Sequence, residues 1–468
     1  MRGGRGNRPL ELLKNALRRE AAGSGRAGSA AVTVGGSLGG AAGAFAAAIL
    51  AARVLPPGEF AAFGVGLAVH SFCVQLADFG LGMVAVTELA TGRQLRGGAV
   101  DYGKLRPLAL RRLASAIAVG AAMIIIGVAI PALAPYRLAI LVGAGGAVFW
   151  SMDQFLVSAL QGLRRFDSGA FVLTLIGILR IALVSVCAVA GVLGIGLLVA
   201  YAVVAPAVAM PVAAMVLLAQ RGHPADSVPG PEEGGRQPPA SPAVDAEFRR
   251  SVAVTYLGGA ALFNLDVLIL ALVASQADVA TYSAAWRVAA GASIVNTAIT
   301  QAVLPYTIAA PDPWREARLL SKAGLILGSA WMVLVPVVTL VGLAILGSAG
   351  HGAAGPMAVL LVAFALDGFC DLAVQVYYRV NRARVAALNR VVEFTTMAAL
   401  TVALQSRGAL APSIGQLGAR VLGVVIIGGP IVLAAVGRLR WFAPAQPDTG
   451  GHEVVGVDVR GAEERLGL

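Results

Sequence analysis

The feature that most constrains this chain is a series of apolar runs, each about twenty residues or longer. A helix needs about 20 predominantly apolar residues to cross the hydrocarbon core of a bilayer. The runs are too long and alternate too weakly for barrel strands, and backbone polar groups in lipid must then be satisfied within helices. Charged residues make up only 13% of the 468-residue chain, about half the share in soluble proteins. The sequence therefore predicts an all-α, polytopic membrane protein.

We place twelve transmembrane spans along the chain. Their predicted bounds are 29–54, 60–81, 113–133, 138–161, 171–192, 195–219, 250–273, 280–304, 320–346, 355–379, 386–405 and 411–437. Residues 1–28 form a basic tail and 438–468 a polar tail. Residues 220–249, which are rich in proline, glycine and polar side chains, are predicted to be a disordered linker. The linker separates two six-helix lobes, 29–219 and 250–437.

The distribution of basic residues tests this assignment, because lysine and arginine concentrate on the cytoplasmic side of membrane proteins. We count a basic residue near a span end with the adjoining loop and place the N-terminus inside. Arg53, Arg137 and Arg407 then fall on the outer side, and Arg180, Arg287 and Arg420 fall within spans. All the other lysines and arginines among the 36 are then cytoplasmic. We therefore expect both termini to be cytoplasmic. The net charge of +11 follows from this topology, so no nucleic-acid partner is expected.

Two blocks of six spans suggest an internal duplication, and parallel repeats are a known transporter arrangement. Superposing residues 49–67 on 268–286 aligns Glu59 with Asp278, directly after the tight turn of a helical hairpin in each half. The match is weak letter by letter, but it falls where a six-plus-six duplication requires it. Arg53 has no charged counterpart, so the halves differ at that position.

A small set of ionisable residues lies within the predicted spans, where a charge costs about 2.5–3.5 kcal/mol on insertion scales. The set is Asp153, Arg180, Asp266, Arg287, Asp367, Asp371, Glu393 and Arg420, with Arg53 and Asp78 nearer the span ends. At about 1.5 Å per residue, Asp266 and Arg287 reach similar depths on adjacent spans, as do Asp153 and Arg180. Each couple is either a structural ion pair or a site where arginine binds an anionic substrate in a central aqueous cavity and the carboxylate orients it.

Asp367 and Asp371 lie one turn apart on the same face of span ten. This acidic stripe is a candidate site for a coupling proton or sodium ion. The alternative is that Arg379 or Arg420 neutralises it. Glu393 lies near the cytoplasmic end of span eleven, so we expect its side chain to extend toward the headgroups.

Nothing in the sequence indicates an enzyme. It contains no Walker A loop, no GxSxG and no HExxH motif, so any transport is not expected to use ATP hydrolysed on this chain. Cys73, Cys187 and Cys370 fall within spans without a metal-binding or disulfide spacing, and we interpret them as small buried apolar residues. No cofactor and no metal ion are expected.

Two helical hairpins carry a family resemblance. The stretch AARVLPPGEFAAFGVGLAV followed by QLADFGLG, and the later stretch LDVLILALVASQADVATYSAAWRVA, resemble the polysaccharide-flippase branch of the multidrug/oligosaccharidyl-lipid/polysaccharide (MOP) exporter superfamily. The tandem prolines Pro56 and Pro57 depart from the family's more usual glycine-proline.

The resemblance implies a two-lobed transporter that works by alternating access. Its expected substrate is a polyprenyl-diphosphate-linked oligosaccharide, flipped across the inner membrane for cell-surface polysaccharide biosynthesis. The implied partners are this lipid-linked glycan, membrane lipids and other polysaccharide-assembly proteins. Arginine suits the diphosphate because its planar fork binds phosphate in a bidentate manner. The candidate anion contacts are Arg53 and Arg287, then Arg180 and Arg420.

Two other functions remain open from the sequence. The chain could be a cation-coupled multidrug exporter of the same superfamily, in which intramembrane carboxylates such as Asp367 and Asp371 would matter more than arginines. It could also be a non-transporting membrane scaffold in envelope assembly, in which all these charges would be structural. A cationic cavity favours the glycan flippase and an acidic one favours the drug exporter.

Overall fold

The computed structural model describes residues 25–79, 81–82, 85–86, 89, 103, 105–163, 165–219, 246–291, 313–379 and 382–431. Besides short 3₁₀ segments at Pro131–Tyr136, Gly347–Gly350 and Gln405–Arg407, twelve long helices lie within these residues. They are α1 Gly25–Val54, α2 Pro57–Asp78, α3 Leu105–Ala129, α4 Arg137–Gly162, α5 Phe166–Val189, α6 195–219, α7 Ala246–Val273, α8 276–291, α9 Pro313–Leu346, α10 Ala354–Arg379, α11 Ala383–Ala403 and α12 Leu410–Gly423. Helix α6 contains a π-helical segment, Ala200–Val204, and α12 continues into another, Val424–Gly428.

Eleven helices of the described residues are long and apolar enough to cross a membrane. The predicted span that is not among these eleven is the eighth, 280–304, which corresponds to α8. Its predicted part from residue 292 to 304 lies outside the described residues. The predicted tails and most of the predicted linker also lie outside them. The expected fold class, an all-α polytopic membrane protein of about twelve helices in two repeated lobes, is confirmed.

The first hairpin follows from its prolines. Helix α1 ends at Val54 and α2 begins at Pro57, where proline supplies a helical φ and lacks an N–H that would in any case have no intrahelical partner. Several other helices begin earlier than their apolar runs. Helix α3 starts at Leu105 instead of residue 113 and α9 at Pro313 instead of 320, because helical hydrogen bonding continues through charged turns beyond the apolar segment.

The two halves pack their helices in the same order. In the first half α1 packs on α5, α3 on α4, and α6 on both α4 and α5. In the second half α7 packs on α11, α9 on α10, and α12 on both α10 and α11. The sixth helix of each half therefore occupies an equivalent place.

The turns before these sixth helices are also equivalent. Gly194 precedes α6 with φ 63° and ψ −122°, and Gly408 precedes α12's first turn with φ 56° and ψ −130°. This left-handed region favours glycine. A Cβ on Gly194 would lie 2.9 Å from the carboxylate of Glu59. In the other half the Asp278 carboxylate accepts a hydrogen bond from the Ala409 N–H at 3.3 Å. The two acids aligned by sequence thus lie against the same turn in each lobe.

The buried apolar clusters of the described residues lie at different levels along the helix bundle. The connections after α1, α7 and α9 lie at one end of the bundle, which we call the hairpin end. The largest cluster lies toward this end and joins both lobes, with Phe60 and Leu67 from the first and Tyr282 and Met357 from the second. Toward the opposite end, separate clusters lie within the first lobe and within the second. The main apolar contact between the lobes is therefore at the hairpin end.

Candidate functional site

Arg180 lies on α5 and is positioned by an irregularity in α6. Within the π-helical segment the Ala205 N–H donates to the Ala200 carbonyl, which is one residue further back than in an α-helix. The carbonyl of Tyr201 then accepts a hydrogen bond from Arg180 Nε at 3.4 Å. Arg180 is only 6% exposed.

Two aromatic rings hold the Arg180 guanidinium. Its Cζ lies 4.4 Å from the centroid of the Trp150 ring on α4 and 4.5 Å from that of Tyr201 on α6, within the range of cation–π attraction. Phe63 meets the Tyr201 ring edge-on at 6.0 Å. These contacts fix the cation near the middle of the first lobe.

Asp153 lies one helical turn after Trp150 and is fully buried. Neither of its carboxylate oxygens has a hydrogen-bond partner among the described residues. Arg180 is close enough to act on it electrostatically, but no salt bridge joins the two. Equal depth on neighbouring helices therefore did not produce the predicted contact.

Arg287, on α8 of the second lobe, also differs from its predicted pairing. No salt bridge joins it to Asp266, although the two interact electrostatically. Instead the Asp266 carboxylate accepts hydrogen bonds from the Tyr282 hydroxyl and from Gln416 Nε2, the latter at 2.9 Å. Arg287 is partly exposed and lies 5.1 Å from the Trp286 ring centroid.

His70 and Tyr201 each interact with both arginines. Arg180 and Arg287 both act electrostatically on the buried His70 imidazole of α2, and Arg287 also interacts with Tyr201, whose ring covers Arg180. One arginine from each lobe thus reaches the same neighbourhood. Within the described part of the chain, neither has a carboxylate at salt-bridge distance. We call Arg180, Arg287, His70 and Tyr201 the central site.

Asp367, Asp371 and Glu393 of the second lobe form a separate network, which is buried except at Asp371. Arg420 Nη1 lies 2.7 Å from Asp367 and 3.1 Å from Glu393, and Arg390 lies 2.8 Å from Glu393 and 2.5 Å from Asp371. The alternative in which Arg420 neutralises the acidic stripe therefore holds at Asp367, whereas Asp371 pairs with Arg390, which the alternative did not include. The side chain of Arg379 lies outside the described residues.

Two members of this network differ from the sequence interpretation. Glu393 is fully buried and does not extend toward the headgroups, and Arg390, only 5% exposed, was not among the intramembrane charges. The i,i+3 spacing of these two residues on one helix face was the available signal. Arg112 was also missed, because it fell one residue before the predicted span. It is buried, paired with Asp78, and donates to Ser151 at 2.6 Å.

Aromatic contacts connect the network to the central site. Arg420 lies 5.0 Å from the Phe263 ring centroid, Phe263 stacks on Phe364 at 5.7 Å, and Phe364 meets Trp286 edge-on at 6.3 Å. Trp286 in turn lies beside Arg287. Arg420 therefore lies inside the second lobe, and the rings of Phe263, Phe364 and Trp286 separate it from Arg287.

Arg53 lies away from the central site. Its side chain is exposed at the hairpin end, where Nε and Nη2 donate to the carbonyls of Ile345 and Ala344 at 2.6 and 3.1 Å. These acceptors belong to α9 of the other lobe. In this conformation Arg53 therefore joins the lobes, and its predicted contact with substrate remains a prediction. Among the described residues, no group of three His, Cys, Asp or Glu side chains is arranged to hold a metal ion.

Comparison with known proteins agrees with the two hairpin motifs. A family described as polysaccharide biosynthesis protein matches residues 28–309, more than half of the chain. No curated protein matches the sequence.

Solved structures of similar fold are transporters. An inward-facing multidrug resistance MATE family transporter of the MOP superfamily superposes with a TM-score of 0.57 at 15% identity, over 85% of this chain and 96% of that one. An outward-facing one gives 0.55 at 14%, over 87% and 95%. A MATE complex with MaD3S gives 0.53 at 16%, over 87% and 95%. The fold is thus that of MOP-superfamily transporters.

Proposed function

Because the chain belongs to the polysaccharide biosynthesis protein family, we propose that it flips a polyprenyl-diphosphate-linked oligosaccharide across the inner membrane by alternating access. Arg180 and Arg287 bind the diphosphate in this proposal. The observation that carries it is the central site, where two arginines from opposite lobes approach the same histidine and tyrosine without a carboxylate at salt-bridge distance among the described residues.

The other buried arginines of the described residues differ from Arg180 and Arg287, because they have acidic partners. Arg112, Arg390 and Arg420 each lie in a salt bridge with an acidic side chain. Arg180 is buried without an acidic side chain at salt-bridge distance, and such a charge is costly. A diphosphate bound by Arg180 and Arg287 would relieve this penalty, because guanidinium groups form strong charge-assisted hydrogen bonds with phosphate oxygens.

The partners of the intramembrane acids argue against an exporter of organic cations. Asp367, Asp371 and Glu393 are already engaged by Arg390 and Arg420, and Asp266 accepts hydrogen bonds from its own lobe. These acids are therefore not free to bind an organic cation. The exception among the intramembrane acids is Asp153, which has no hydrogen-bond partner among the described residues and lies within electrostatic reach of Arg180.

The proposed orientation follows from the basic residues. With both termini cytoplasmic, the hairpin end faces outward. The apolar cluster shared by the lobes then closes the outer side, and the separate clusters lie on the cytoplasmic side, from which a lipid-linked precursor would enter.

Complementation of a strain that lacks its glycan flippase tests the proposal, with accumulated lipid-linked precursor as the readout. We expect the wild type and Arg407→Ala, which removes an exposed arginine at the hairpin end, to restore export. We expect Arg180→Ala combined with Arg287→Ala to fail at equal membrane abundance. Full export by the double variant would refute the role of the two arginines. Failure of the wild type in every glycan pathway, together with drug resistance on expression, would favour a multidrug exporter.

A further inference from the structure

We propose that Pro206 is a positioning residue for Arg180: it keeps the carbonyl oxygen of Tyr201 free of a backbone donor, so that this oxygen can anchor the guanidinium. The role of the anchored cation rests on the proposed function, because it is Arg180 that would meet the anion. The local geometry stands on its own contacts and can be tested separately.

The backbone hydrogen bonds of α6 account for the free carbonyl. In a regular α-helix the Ala205 N–H would donate to Tyr201, but here it donates to Ala200. If the π-helical register continued, the next N–H, from residue 206, would reach Tyr201. Residue 206 is proline and has no N–H. The Tyr201 carbonyl therefore receives no donor from either residue, and a buried carbonyl needs one.

Arg180 supplies the missing donor through Nε. This choice of nitrogen matters, because it leaves Nη1 and Nη2, the edge that can bind phosphate in a bidentate manner. The rings of Trp150 and Tyr201 restrict the same guanidinium from its faces. A cation held in its binding geometry loses less conformational entropy when the anion arrives. Pro206 is itself buried and acts through the backbone, without touching the anion.

The same helix offers a matched control. Pro211 lies five residues further on, also lacks an N–H, and is exposed on the lipid-facing side of α6. No side-chain donor among the described residues bonds to a carbonyl in the turn before it. A general effect of removing a proline from α6 would appear in both Pro206→Ala and Pro211→Ala, whereas an effect on Arg180 would appear only in the first.

The test uses the full-length chain in lipid nanodiscs, with every tryptophan except Trp150 replaced by phenylalanine. Trp150 emission reports the stacked guanidinium, and titration with inorganic pyrophosphate measures anion affinity. We expect Pro206→Ala to shift the emission toward that of Arg180→Ala and to weaken pyrophosphate binding about tenfold, the loss expected for one hydrogen bond to a charged group. Pro211→Ala should match the wild type in both.

A double variant shows whether the proline acts through the arginine. In an Arg180→Ala background, Pro206→Ala should weaken pyrophosphate binding no further. An additive loss, equal effects of the two prolines, or unchanged Trp150 emission in Pro206→Ala would each overturn the positioning role. If wild type fails to bind pyrophosphate while the emission still shifts only in Pro206→Ala, the proposed function fails and the local geometry stands. If Pro206→Ala does not accumulate, Pro206→Gly restores the same N–H and takes its place.

Discussion

Arg53 joins the two lobes at the hairpin end, and its replacement tests how that end is held closed. The side chain leaves α1 and donates to two carbonyls near the end of α9, at Ala344 and Ile345. Helix α9 ends at Leu346 and passes directly into a 3₁₀ segment, Gly347–Gly350. These carbonyls therefore lie in the last α-helical turn, where the regular intrahelical hydrogen bonding stops. The guanidinium also faces the negative end of the helix dipole. Arg53→Ala removes both interactions at once.

The size of the effect is set by solvent exposure. A hydrogen bond to a charged group contributes about 1.5–3 kcal/mol net, but Arg53 is exposed, and exposed charge contacts contribute only about 0–1 kcal/mol. We take about 1 kcal/mol in favour of the state closed at the hairpin end. Arg53→Ala should therefore lower the ratio of closed to open molecules about fivefold.

Electron–electron double resonance between spin labels at Pro56→Cys and Ser348→Cys, in a variant without the native cysteines, measures this ratio. Both label positions are exposed and lie at the hairpin end of different lobes. Arg137→Ala is the matched control, because exposed Arg137 donates at 3.1 Å to the last-turn carbonyl of Val128 within its own lobe. We expect that control to leave the distance distribution unchanged.

If the distance distribution of Arg53→Ala is identical to that of Arg137→Ala, Arg53 does not hold the hairpin end closed. If Arg53→Ala instead abolishes pyrophosphate binding without changing the populations, the arginine contacts the anion as the family resemblance implies. Arg53→Lys keeps the charge but not the fork and should give an intermediate shift.

Three further replacements test the packing within each lobe. Arg390→Ala removes one of the two arginines that contact fully buried Glu393; breaking a buried pair completely costs about 3–5 kcal/mol, and Arg420 retains part of that interaction. The melting temperature in detergent should fall markedly, and an unchanged value would contradict the network. Gly43→Val should prevent α1 from packing on α5, because a Cβ there would lie 2.3 Å from the backbone of Gly177; Gly35→Val, which faces open space, should accumulate normally in the membrane. Tyr282→Phe removes the hydroxyl that donates to buried Asp266 and should cost about 1–3 kcal/mol, seen as a lower melting temperature; equal stability would show that water replaces the hydroxyl.

The helices could be predicted because lipid imposes a simple rule on length and polarity. The apolar runs gave the spans, and Pro56 with Pro57 gave the first turn. The ends were less certain where charged turns continue a helix, as at Leu105 of α3. Arg112 was missed for this reason: the apolar run begins after it, but the helix carries it inward to Asp78.

The site was predicted less well, because depth along a helix does not fix the direction of a side chain. The rise per residue placed Asp266 and Arg287 at one level, but the rotation of α7 turns Asp266 toward Gln416 of α12. Such a partner, 150 residues away in the chain, depends on helix packing that no local pattern reveals. The π-helical segment that frees the Tyr201 carbonyl was equally hidden, because no local pattern marks the change of hydrogen-bond register.

The two lobes arrange their helices alike, but their buried charges differ, and this difference bears on transport. Glu59 and Asp278 occupy the same turn in each lobe, but the position equivalent to Arg287 in the first lobe is Ala68. An anion that binds both Arg180 and Arg287 must therefore bridge the lobes, and its affinity depends on how closely they approach. A ligand shifts a conformational equilibrium only by its differential affinity for the two states. Under the proposed function, the substrate's own diphosphate would supply that difference, whereas a ligand held by one lobe alone would not.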